Sequence, residues 1–206
     1  MNILLTGSSG FVGSHFHGDK NIKRVVVRKN DKCDQWLCDK YVIDALNHET
    51  EWAGAFEGID VIIHLAGLAH SKTFTSEDYQ QVNVDGTLRL ASSAASAGVK
   101  RFVFVSSIGV HGGNTTDTAL TSESPVFPDN DYTRSKLKAE KGLKKISKET
   151  DLEIVIVRPT LVYGANAPGN FGLLTKLVDR IPVLPFRGIA NKRDFISVQN
   201  LTNLLI

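Results

Sequence analysis

The sequence predicts an α/β protein built on a doubly wound parallel sheet, and three observations carry that expectation. Short apolar runs recur along the chain, with helix-like or polar segments between them. The runs are continuous rather than alternating, which is the pattern of strands covered on both faces. A turn with three evenly spaced glycines, Thr6-Gly7-Ser8-Ser9-Gly10-Phe11-Val12-Gly13, directly follows the first run.

In chain order the runs are Ile3-Leu4-Leu5, Val25-Val26-Val27, Tyr41-Val42-Ile43, Val61 to Leu65, Phe102 to Val105 and Ile154 to Val157. Gln80 to Ala97 holds few β-branched residues and ends at Gly98, a C-cap residue, so it predicts a helix. Asp131 to Lys148 predicts a second. Strand and helix in alternation give parallel pairing. Residues 112–130 are polar, with Gly112-Gly113 and two prolines, and read as a loop. From Asn166 the pattern turns irregular, with a short helix around Leu173 to Asp179. Residues 1–165 are therefore expected to form one domain. Residues 166–206 would begin a smaller region whose C-terminal remainder is absent, because Leu204-Leu205-Ile206 reads as the interior of a helix.

Size and composition narrow the function. A chain of 206 residues buries one sizeable core, and its formal net charge of +2 offers no basic stripe and no acidic tail. Nucleic acid and an anionic membrane surface are not expected partners. No apolar run has the length to cross a bilayer, and the N-terminus lacks the pattern of a signal peptide. A cytoplasmic location is expected. Cys33 and Cys38 match neither a zinc nor a redox spacing and read as reduced thiols. The six histidines form no metal-ligand pattern, so no metal is expected.

The glycine turn lies in the setting that gives such a motif meaning, between a strand and a helix start. Gly7 permits the sharp turn. Gly10 lets backbone amides, those of Ser9, Phe11 and Val12 among them, approach a pyrophosphate, and Gly13 permits close packing of helix on sheet. The link from Ser14 to Arg24 is short and contains Gly18, which costs roughly 1 kcal/mol in a helix. A stunted first helix is expected.

With this turn stand further segments in a fixed order: Asp44, His64-Leu65-Ala66-Gly67, Asn83-Val84-Asp85-Gly86-Thr87, Ser106-Ser107, Tyr132-Thr133-Arg134-Ser135-Lys136, Arg158 to Gly164, and Arg193-Asp194-Phe195-Ile196. Together they resemble the extended short-chain dehydrogenase/reductases, in particular the NAD-dependent nucleotide-sugar epimerase/dehydratase group. The resemblance covers nearly the whole chain and implies a Rossmann-type domain. It also implies that Gly7, Ser9, Gly10, Phe11, Val12, Gly13, Asp44, Ala66, Gly67, Lys136 and Pro159 border the cofactor. Asn170, Arg187 and Arg193 would border a UDP-sugar substrate, and a homodimer is the implied assembly.

Tyr132 and Lys136 lie four apart, on one face of a helix. A phenol with a pKa near 10 is a poor base at neutral pH, and a neighbouring ammonium, helped by the positive nicotinamide ring, favours its phenolate and lowers that pKa. Tyr132 would then exchange a proton with a sugar hydroxyl, while Ser107 polarises the same oxygen. Lys136 would hold the nicotinamide ribose, and Asn83 would order the helix or a water near Lys136. His64 reads as a satisfied core residue, His111 as a solvated loop residue, and Ser106 stays ambiguous.

The second strand ends Val27-Arg28-Lys29-Asn30-Asp31. Two cations suit the 2′-phosphate of NADP and tip the reading slightly that way, whereas Asp31 keeps NAD open. The favoured activity is epimerisation at sugar C4 through a 4-keto sugar, as in UDP-glucose 4-epimerases. The rivals are an NAD(P)H-dependent 4-keto-sugar reductase of polysaccharide precursor synthesis and an inactive NAD(P)-binding regulator.

Overall fold

The computed structural model describes residues 1–31, 33–69, 71, 73–113, 118–181 and 193–206, with the Asn170 side chain outside the description. Among these residues, six parallel strands form one sheet: β1 (Ile3–Thr6), β2 (Ile22–Arg28), β3 (Asp39–Ile43), β4 (Val61–His64), β5 (Arg101–Val105) and β6 (Glu153–Val157). Their spatial order is β3-β2-β1-β4-β5-β6, so the winding reverses between β1 and β4. Open parallel sheets bind ligands at the carboxyl ends of the two strands that flank such a reversal.

Neighbouring residues of one strand go to opposite cores. Leu4, Ile62, Phe102 and Phe104 pack with Leu90, Ala91, Ala94, Ala139 and Leu143 on one face. Ile3, Leu5, Val61, Ile63 and Val103 pack with Phe16, Trp36, Leu201 and Leu205 on the other. This explains the unbroken apolar runs, since no strand position among these faces water.

The first face is covered by α2 (Thr87–Ser96) and α3 (Asp131–Glu149), preceded by α1 (Ser76–Tyr79) and a π-helical segment, Gln80–Gly86. The continuous helix expected from residue 80 is thus a π segment followed by an α-helix. On the second face the stunted first helix is a single 3-10 turn, Gly13–Phe16. Trp36 packs into the core on this face; it is buried and meets His17 edge to face at 5.6 Å. The C-terminal α5 (Val198–Leu205) completes this layer. Between β6 and α5 lie β7 (Leu161–Tyr163), paired in parallel with β8 (Phe195–Ser197), and α4 (Gly169–Arg180). No helix among the described residues is long and apolar enough to cross a membrane.

Candidate active site

The glycine turn sits at the carboxyl end of β1, at the reversal point. Gly7 has φ +75°, and a Cβ there would lie 2.7 Å from the Ala66 nitrogen. At Gly13 a Cβ would fall 2.1 Å from the Gly7 carbonyl oxygen. The turn closes with Gly10 N–H donating to Gly7 O at 3.0 Å and Ser14 N–H to Gly10 O at 2.9 Å. Ser9 and Gly10 are exposed, and Val12 brings no side-chain cap to the 3-10 turn. The exposed bend ahead of the turn is thus open to an anion such as a pyrophosphate. The Phe11 ring stands near Gly164, where a Cβ would meet it at 3.4 Å.

His64 braces the turn from below. Its Nδ1 lies 2.7 Å from the Thr6 hydroxyl and its Nε2 2.9 Å from the Thr87 hydroxyl. Thr6 Oγ1 also accepts from Ala66 N–H at 3.1 Å. Complete burial, reinforced by the Lys136 charge, pushes the imidazole down to about 3, so it is neutral. His64 is a satisfied core residue, as the sequence indicates.

Asn83, in the middle of the π segment, joins two elements. Its Oδ1 accepts from Leu68 N–H at 2.7 Å, and its Nδ2 donates to Leu68 O and to Ser135 Oγ, both at 3.0 Å. A Cβ on Gly67 would lie 2.9 Å from Asn83 Oδ1 and 3.6 Å from Lys136 Nζ. The Ala66-Gly67 backbone, Asn83 and Lys136 therefore meet in one place. A π insertion at a functional site is a recurrent device.

Asn130 caps α3 and forms a reciprocal capping box with Thr133, fixing the first turn that bears Tyr132. Lys136, one turn on, is buried and donates to Val105 O at 3.0 Å, with Phe104 under it at 4.7 Å. Burial lowers its pKa to about 8, against an upward pull from Glu140. Ser107 caps the 3-10 turn Ile108–His111 by accepting from Gly109 N–H at 3.1 Å. Its hydroxyl is hydrogen-bonded to the Tyr132 hydroxyl. The Tyr132 phenol is nevertheless pushed above its ordinary value, first by burial, while the Ser107 bond pulls the other way. Within the protein itself desolvation of the phenolate prevails, whereas the expected lowering draws on the positive nicotinamide ring as well as on Lys136.

Other expected residues are placed as follows. Pro159 O accepts from Ile108 N–H at 3.1 Å, beside the Ser107 turn. Asp44 is exposed and paired with Lys29 at 2.5 Å, while Arg28 Nη2 pairs with Asp31 at 3.0 Å. Arg193 is exposed ahead of β8. Arg187 and the Asn170 side chain lie outside the described residues.

Three features escaped the sequence reading. Tyr79 is buried against Tyr132, ring centroids 6.2 Å apart, and its hydroxyl accepts from Ser71 N–H at 3.0 Å. Ser106 donates to Glu140 at 2.5 Å, and Glu140 also takes two bonds from Arg158. His111 is half-buried and tied to Arg158 and Pro125 O rather than free in solvent. The only sequence signal for these is the helical spacing that puts Glu140 one turn beyond Lys136.

A family model described as the NAD dependent epimerase/dehydratase family matches residues 3–206. The chain belongs to that family. The UDP-glucose 4-epimerase of Vibrio cholerae is 36% identical over 217 residues, covering 100% of this chain and 65% of its own length. An N-acetyl-α-D-glucosaminyl-diphospho-ditrans,octacis-undecaprenol 4-epimerase of Escherichia coli O157:H7 is 29% identical over 193 residues, covering 86% of this chain and 54% of its own. Among solved structures, MoeE5 in complex with UDP-glucuronic acid and NAD superposes with a TM-score of 0.79 at 25% identity, covering 100% of this chain and 71% of that one. This member of the epimerase/dehydratase family thus spans between half and two thirds of the length of those two curated relatives.

Proposed function

We propose that the protein is a UDP-sugar 4-epimerase that works on bound NAD, with residues 1–165 as the cofactor half and 166–206 as the start of the sugar-binding region. The observation that carries this reading is the Ser107–Tyr132 hydrogen bond, with Lys136 one helical turn beyond Tyr132 and close to Gly67. A phenol and a hydroxyl that share one hydrogen bond define the place for one substrate oxygen.

The chain's residues fit a dinucleotide. The exposed bend at Ser9 and Gly10 offers backbone donors to the pyrophosphate, with Phe11, Val12 and Gly13 shaping its wall. Lys136 reaches the Gly67 backbone, where a ribose would lie. A nicotinamide bound there supplies a reversible hydride acceptor. Tyr132, protonated here because of its burial, would act on the sugar C4 hydroxyl as the phenolate, which a positive nicotinamide ring would favour. It would take the hydroxyl proton as the C4 ketone forms. Ser107 holds the oxygen throughout. Tyr132 would return the proton to that oxygen when the ketone is reduced on its opposite face. Net, no reductant is consumed.

NAD is favoured over NADP by the pairing of both cations at the end of β2. Arg28 and Lys29 are each engaged by a carboxylate, Asp31 and Asp44. A 2′-phosphate would meet those two acids, whereas ribose hydroxyls can donate to Asp31. Asn170, Arg187 and Arg193 are assigned to the UDP-sugar, and a homodimer to the assembly, on the family resemblance alone.

The reductase reading has one observation in its favour: a phenol held protonated by burial is set to donate to a ketone. One assay separates the two. UDP-glucose and UDP-N-acetylglucosamine, each with NAD and no reductant, should yield their C4 epimers by NMR. Product that forms only from a 4-keto sugar with stoichiometric NAD(P)H would replace the epimerase with the reductase.

A further inference from the structure

We propose that His111 is a positioning residue, which in its Nδ1–H form holds the segment from Pro125 to Asn130 against the turn that carries Ser107. The inference rests on the epimerase reading for its effect on substrate, but not for the contact itself.

The tautomer follows from the partners. His111 Nε2 lies 3.1 Å from Arg158 Nη1, and a guanidinium only donates. Nε2 must therefore accept, and the ring proton sits on Nδ1, which donates to Pro125 O at 2.9 Å. Arg158 is itself immobile. Its Nε donates to Glu140 Oε1 at 3.0 Å and its Nη2 to Oε2 at 2.5 Å, and Glu140 is buried. The fork geometry fixes the guanidinium plane and, through it, the imidazole.

What the imidazole holds is the approach to Tyr132. Next to the Pro125 tie, Phe127 N–H donates to Val110 O at 3.0 Å. Three residues later Asn130 caps α3, and Tyr132 follows within its first turn. At the other end of the same 3-10 turn, Ser107 is hydrogen-bonded to Tyr132. His111 and Ser107 thus bracket one short turn, and the two residues that must share a substrate oxygen are set from its two ends. Loss of the Pro125 tie should loosen this segment while leaving the Arg158–Glu140 pair and the cofactor crevice intact.

Three variants separate the two contacts. His111→Asn keeps a donor near the Nδ1 position, His111→Gln keeps an acceptor near Nε2, and His111→Phe keeps neither. In the Phe and Gln variants the KM for UDP-glucose should rise roughly tenfold, as for one lost hydrogen bond of ordinary strength, with the NADH Kd unchanged. The Asn variant should restore the KM. Amide hydrogen exchange at Phe127, read in the same proteins, should quicken in the Phe and Gln variants and stay slow in the Asn variant. Unchanged Phe127 exchange in His111→Phe would overturn the proposal. So would a KM and an NADH Kd that rise together. If the wild-type protein turns over no sugar nucleotide, the epimerase reading fails, and the Phe127 exchange still decides the His111 contact.

Discussion

The ammonium of Lys136 donates to the backbone carbonyl of Val105 at 3.0 Å, inside the protein and above the ring of Phe104. Its pKa falls to about 8 from an ordinary 10.5 because burial disfavours the charge. Between those two values the unfolded chain binds the proton and the folded chain releases it. Stability therefore rises with pH across that window, and the full penalty, at most roughly 3 kcal/mol, stands below it. Urea denaturation at pH 7 to 10 should show wild type gaining on Lys136→Met as pH increases. A constant difference would contradict the buried charge.

His64 titrates with the same sign in a lower pH window. Its folded pKa of about 3 lies below the ordinary 6.5, so only the unfolded chain takes up the proton between those values. The stability it contributes is complete above pH 6.5 and is lost progressively as pH falls toward 3. His64→Asn removes the titrating group and should flatten the acid limb of unfolding, followed by circular dichroism from pH 7 to 3.

Gly13 and Gly18 flank the same short turn and should respond differently to alanine. At Gly13 the added Cβ would meet the Gly7 carbonyl at 2.1 Å, an overlap only backbone movement relieves. Gly13→Ala should cost about 1–3 kcal/mol or more and abolish NADH binding. At Gly18, φ is +84° and no atom lies within 4 Å of the added carbon. Gly18→Ala should cost about 1–2 kcal/mol from backbone strain and leave NADH affinity untouched. Thermal melts and a fluorescence titration on both variants check the contrast.

Cofactor choice should turn on Asp31, which engages Arg28 through both its backbone N–H and its guanidinium. Asp31→Asn frees the guanidinium for a 2′-phosphate and removes an acceptor for ribose hydroxyls. NADPH affinity should rise and NADH affinity fall, each by about tenfold, the scale of one charge-assisted hydrogen bond. An unchanged preference would show that Asp31 does not face the cofactor.

Much of this was legible beforehand because its causes are local. Each apolar run became a strand, since Ile3 and Leu5 serve one core while Leu4 serves the other. Gly98 indeed follows the end of α2, with φ +78°. Unreadable parts depend on partners distant in sequence. Nothing near Asn83 marks a π segment; its side chain bonds to Leu68 and Ser135 explain the placement. Tyr79 looks like any helical aromatic until Tyr132 is set beside it. The upward push on the Tyr132 pKa was unreadable for a related reason: spacing sets Lys136 on the same helix face, but the burial of the phenol exists only in the fold.

The central claim is that Tyr132 carries the proton while the glycine bend and Lys136 hold the cofactor. Turnover of UDP-glucose and the Kd for NADH, measured on one preparation each of wild type and Tyr132→Phe, test it most directly. Turnover should fall by about 10²–10⁴-fold in the variant, the scale of a lost acid–base group, with NADH bound as tightly as before. A variant that epimerises at the wild-type rate would contradict the account.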